Sequence, residues 1–102
     1  MSTNYQKIRS FGDVAKRAGY EGTISMLWTH FKSASEEKRV ELLLTASRNI
    51  GQTLKWSPEL TLTALYITNG ETESSREAYF EASARMLAER NRKDGTFKRA
   101  LV

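Results

Sequence analysis

The sequence predicts an all-α fold, a compact bundle of about five helices packed around a central helix at residues 35–56. Three observations lead there. Val40, Leu43, Leu44, Ser47, Ile50 and Leu54 recur at helical spacing, and Leu42 and Ala46 widen their stripe, so the segment must be covered from more than one side. Ser57-Pro58-Glu59 then reads as an N-cap, a first-turn proline and an acidic residue at the positive end of a helix dipole. The one strand-like run, Leu60–Thr68, has no second convincing strand with which to pair.

Taken in order, residues 1–9 read as a basic arm anchored by Tyr5 and Ile8. A short helix is expected from Ser10, which stands at capping-box distance from Asp13. Phe11, Val14, Ala15 and Ala18 supply its apolar face, and Gly19 its stop. Thr23 is the expected cap of a second helix that buries Ile24, Leu27, Trp28 and Phe31. Ser35, followed by Glu36 and Glu37, opens the central helix. After Pro58 the run LTLTALYIT alternates like a strand but begins like a helix, and a short helix ending at Asn69-Gly70 is the expectation. The last helix is expected from Ser75 to about Lys93, with possible caps from Thr72 onward. Its expected apolar face is Tyr79, Ala82 and Met86, with Phe80, Ala84 and Leu87 beside it. Asp94-Gly95 should stop it, leaving a basic-apolar tail at 95–102 whose Phe97, Leu101 and Val102 can dock.

At 102 residues the chain is expected to form one domain with one core. An apolar fraction of 39% beside 27% charged residues argues against general disorder. No run is long and apolar enough for a bilayer, and the first residues lack the apolar core of a secretory signal. With no cysteine, disulfides and thiolate metal sites are excluded and the cytoplasm is the expected location.

Charge is unevenly distributed. Lys7, Arg9, Lys16 and Arg17 face only Asp13 within residues 1–20. Arg85, Arg90, Arg92, Lys93, Lys98 and Arg99 face only Glu89 and Asp94 within residues 82–102. The intervening segment is net acidic. If the two ends meet, Lys7, Arg9, Lys16, Arg17, Arg92, Lys93, Lys98 and Arg99 form one patch suited to a polyanion. The alternative is two solvated basic ends.

Catalysis is not expected. His30 is the single histidine, and no marked nucleophile accompanies it. HExxH, phosphate-loop and GxGxxG motifs are missing from the sequence, so no metal or cofactor is expected. The acidic pairs sit at helix starts, where dipole compensation explains them. Exposed aromatics between basic residues, as single-strand stacking requires, are expected only at Tyr5 and Phe97, because Trp28, Phe31, Tyr79 and Phe80 fall on expected core faces.

Two stretches carry a resemblance. Asp13-Val-Ala-Lys-Arg-Ala-Gly19 followed by Thr23-Ile-Ser25 resembles the start of LacI-type DNA-binding domains, with small Ala15 and turn Gly19 four apart and a turn one residue shorter than in that family. Its second helix would offer Thr29, His30 and Lys32 to bases. Residues 50–68 resemble the front half of bacterial helix-turn-helix domains through Gly51, Leu54 and Trp56, with Lys55 where glycine is usual. The helix that would follow, Pro58–Thr68, has no Lys or Arg, so its threonines would have to read bases while phosphate affinity comes from elsewhere. The resemblance implies a small non-enzymatic DNA-binding regulator. The alternative is a protein-binding inhibitor or adaptor, of the kind a phage or plasmid encodes against a host complex. In each resemblance, two helices packed through a turn are the structural alternative.

Overall fold

A computed structural model describes residues 4–68 and 72–100, the side chains of 93–100 excepted. It contains α1 (Asn4–Arg17), α2 (Glu21–Ser33), α3 (Glu36–Leu54), α4 (Pro58–Thr68) and α5 (Glu73–Ala100), and no strand among the described residues. The all-α expectation holds. No helix among the described residues is long and apolar enough to cross a membrane.

The expected stripe on α3 is the packing surface. Val40, Leu43, Leu44, Ser47, Ile50 and Gly51 are buried, and α2, α4 and α5 all lie against this helix. Ser35 caps it by accepting a hydrogen bond from the Lys38 N–H at 3.2 Å. Its C-terminus closes through two bonds, Trp56 N–H to Gly51 C=O and Lys55 N–H to Gln52 C=O, which require Lys55 to adopt a left-handed φ of 62°. α4 begins as its start signal predicts, with the Leu60 N–H bonded to Ser57 Oγ at 3.1 Å. It packs against α1, α3 and α5 and buries Thr61, Leu62, Ala64 and Leu65.

Several expectations are corrected. Residues 4–9 are the first turns of α1 rather than an arm. Ile8, Phe11 and Ala15 recur at three and four, so the helix has a reason to start early. Ser10 therefore lies inside α1, its hydroxyl donating back to Lys7 C=O at 3.1 Å. α2 begins at Glu21, before the expected Thr23 cap, because its first turn continues from Tyr20, whose C=O accepts from the Ile24 N–H at 2.9 Å. On α5 the buried positions are Ser75, Ala78, Ala82 and Met86, which put Phe80 on the opposite side with 61% of its surface exposed. The helix starts earlier than expected, capped by Thr72 Oγ1 on the Ser75 N–H, and its backbone continues through Asp94-Gly95 to Ala100. The expected α4 stop at Asn69-Gly70 lies outside the described residues, as do the side chains expected to dock the tail.

Candidate nucleic-acid interface

The α1–turn–α2 unit is built around Gly19. Gly19 takes φ 87°, and the bonds from Tyr20 N–H to Ala15 C=O and from Gly19 N–H to Lys16 C=O close the end of α1. This is the same two-bond closure that ends α3. Phe11 and Ala15 anchor α1 in the core, so the residues between them on the helix circumference are turned outward. Arg9 and Lys16 are seven apart, share that outward face and are exposed. Arg17 is exposed beside them, and Lys7 is half-buried on the flank. Arg9 stands over the exposed Tyr5 ring at 5.7 Å, a cation–π contact that holds the guanidinium at the surface. None of these four cations forms an ion pair among the described residues.

α2 is the peripheral helix of the bundle. Only Leu27 and Phe31 are buried, against α3 and α1. Thr29, His30 and Lys32, the expected base-reading residues, are all exposed, and Ser25 joins them on the outer side. Two contacts fix where this face sits. The Tyr20 and Thr53 hydroxyls bond at 2.7 Å, joining the turn to the last turn of α3. Arg39 of α3 donates to the C=O groups of Phe31 and Lys32 at 2.9 and 3.0 Å, with its guanidinium 5.3 Å from the Phe31 ring centre. A cation on the last carbonyls of a helix satisfies groups with no partner within the helix and complements its dipole. Sequence reasoning missed Arg39, because its bonds to the end of α2 form only once α3 packs against that helix.

The second stretch, residues 50–68, forms a helix, a left-handed turn and a helix, but α4 is enclosed by α1, α3 and α5. The hydroxyls of Thr61, Thr63 and Thr68 donate to the C=O groups four residues earlier at 2.9, 3.0 and 2.7 Å. Thr61 is fully buried. Groove entry by α4 would require opening the core.

The basic residues of the other chain end are only partly described. Arg92 is exposed on α5, while the side chains of Lys93, Lys98 and Arg99 lie outside the described residues. The principal packing partners of α1 are α2 and α4, and those of α5 are α3 and α4. Farther back on α5 the charged side chains are paired within the chain. Arg48 pairs with Glu89 at 2.7 Å and Arg90 with Glu59 at 3.3 Å. Arg85 bonds Glu37 at 3.2 Å and Glu81 at 3.1 Å, and these bonds, Glu37 first, hold its guanidinium above its ordinary pKa. A cleft of about 750 Å³ between the first turns of α3 and the start of α5 is lined by Glu36, Glu37, Glu77 and Glu81 with Arg39 and Arg85. Its acidic excess suits a cation better than a phosphate. Comparison of the chain with protein families, with curated proteins and with solved structures found no match.

Proposed function

We propose that the protein is a small, non-enzymatic DNA-binding regulator of helix-turn-helix-like type, in which α1, the turn at Gly19 and α2 form the unit that meets the duplex. The observation that supports this most is the exposure of α2. Of its 13 residues only Leu27 and Phe31 are buried, and Ser25, Thr29, His30 and Lys32 are exposed on a helix clamped at both ends, with the Thr29 hydroxyl donating to the Ser25 C=O at 3.0 Å. Hydroxyl and imidazole groups on such a helix suit base edges in a major groove, and a threonine methyl suits the methyl of thymine. Arg9, Lys16 and Arg17, without carboxylate partners among the described residues, suit the flanking phosphates. A cytoplasmic location accords with this role.

The test is selection from a random duplex library at low salt, followed by anisotropy on the selected sequence. Wild type should bind and enrich a consensus. Thr29→Ala with His30→Ala should relax that consensus while leaving binding to unselected duplex nearly unchanged. If wild type shows no binding at low salt, this reading is overturned, and a protein-directed inhibitor or adaptor takes its place.

A further inference from the structure

We propose that Gly12 of α1 and Gly22 of α2 are the points where a DNA duplex comes closest to the protein, Gly12 against a strand of phosphates and Gly22 against base edges. The inference rests on the DNA-binding reading and adds two contact positions to it. Glycine weakens a helix interior, because it gives up more backbone freedom than alanine and packs nothing. The fold accounts for two of the four glycines whose surroundings are described: Gly19 has a φ of 87°, and Gly51 lies hard against Thr61. Gly12 and Gly22 have no such reason. Both are exposed within a helix, neither has a positive φ, and a Cβ on either would meet nothing within 4 Å. Packing and backbone conformation would accept alanine at both. What a bare helix surface offers is room for another molecule to approach the backbone.

The neighbours of each glycine identify what approaches. Tyr5, Arg9, Gly12 and Lys16 follow one another at spacings of four, three and four, so they form one row along α1. The bare site therefore lies between two exposed cations, one turn from each, with the Tyr5 ring, 67% exposed, beyond Arg9. Arg9 and Lys16 stand about 10 Å apart along the axis. A notch floored by backbone and flanked by cations that form no ion pair among the described residues fits a strand of phosphates. Asp13, the one carboxylate of α1, lies on the next row toward Arg17. On α2, Gly22, Ser25 and Thr29 follow at spacings of three and four, and Met26, 60% exposed, borders them. This row is uncharged. Hydroxyls and an apolar side chain beside bare backbone suit base edges and a thymine methyl rather than phosphates.

Melting midpoints and duplex anisotropy are read on the same variants. Gly12→Gln and Gly22→Gln add an uncharged side chain that suits a helix, and both should melt at or above wild type. Gly12→Gln should nevertheless bind every duplex roughly tenfold more weakly, the scale of one charge-assisted hydrogen bond. Its log–log salt slope should fall by nearly one for each of Arg9 and Lys16 lifted off a phosphate. Gly22→Gln should lose roughly the same factor on the selected sequence and almost nothing on unselected duplex. Ala84→Gln, which adds bulk at an exposed site on α5, should change neither affinity nor slope. Wild-type affinity in a glycine variant overturns the proposal at that glycine while the DNA-binding reading stands. Lost binding with a lowered midpoint also overturns it, since the glycine then serves the fold, as does equal weakening by Ala84→Gln. Equal loss on every duplex overturns the base contact of Gly22. A wild type that binds no duplex overturns this proposal and the DNA-binding reading together.

Discussion

Thr61 lies directly over Gly51 where α4 crosses α3. A Cβ on Gly51 would stand 2.8 Å from Thr61 Oγ1 and 3.0 Å from the Trp56 carbonyl oxygen. Thr61 Oγ1 is already committed to the Ser57 C=O at 2.9 Å, and Trp56 is half-buried with its ring 5.6 Å from Phe11. Neither neighbour can yield cheaply. Gly51→Ala should therefore destabilise the fold by about 1–3 kcal/mol, despite alanine's better helix propensity. Chemical denaturation measures it, and an unchanged or higher midpoint would show that the two helices have room to separate.

Arg39 holds the end of α2 to α3 through two carbonyls and a ring face. Arg39→Met keeps most of the stem and removes the donors. The expected loss is about 1–3 kcal/mol, the range for charged hydrogen bonds, toward its lower end because the Phe31 C=O also accepts from the Ala34 N–H and the Lys32 C=O is exposed. It should come with local loosening of residues 29–33, which heteronuclear relaxation would detect. Uniform loss with α2 as rigid as before would contradict the clamp.

Two positions should gain stability. Gly12 is exposed inside α1, and a Cβ there meets nothing within 4 Å, so Gly12→Ala should add about 0.5–1 kcal/mol. Ser47 is fully buried on α3, and its hydroxyl has no hydrogen-bond partner among the described residues. Ser47→Ala removes that group with little change of volume and should be neutral or stabilising by up to about 1 kcal/mol. Thermal melts of each variant suffice. A lowered midpoint for Ser47→Ala would mean that the hydroxyl is satisfied after all.

If α1 contacts the duplex backbone, neutralising Arg9, Lys16 and Arg17 should weaken binding similarly for all sequences. The log–log salt slope should fall by nearly one for each lost phosphate contact. Neutralising Arg92, Lys93, Lys98 and Arg99 should have the same effect only if the two chain ends form one surface. Anisotropy over a salt series separates the cases. An unaltered slope for the α1 variants would remove α1 from the interface.

The parts of the fold legible in the sequence are those where one strong signal stands alone. The α3 stripe needed only periodicity, and the start of α4 needed only Ser57-Pro58, whose steric and capping demands are local. Phe80 was misread because α5 is apolar on two sides. Spacing alone ranks Tyr79, Ala82 and Met86 no higher than the buried set of Ala78, Ala82 and Met86, and the neighbours decide. The first turns of α1 were missed because Ser10 and Gly12 look like a boundary, while the anchor that overrides them, Phe11 on Trp56, comes from 45 residues away. Of the candidate interface, the exposure of Thr29, His30 and Lys32 follows from the Leu27–Phe31 spacing. The clamp by Arg39 is a tertiary contact that no local pattern announces.

At 11 residues α4 is the shortest of the five helices, and a helix of that length is marginal in water by itself. Its order is lent to it by α1, α3 and α5, and it can unwind only when they part. Local propensity and persistence should therefore be inverted in this molecule. In native-state hydrogen exchange, the amides of Leu62, Ala64 and Leu65 should be among the slowest, opening only with the global transition. Those of α2, a longer helix with less cover, should exchange through small fluctuations. The chain would then be most enduring at its shortest helix and most yielding along the helix it exposes.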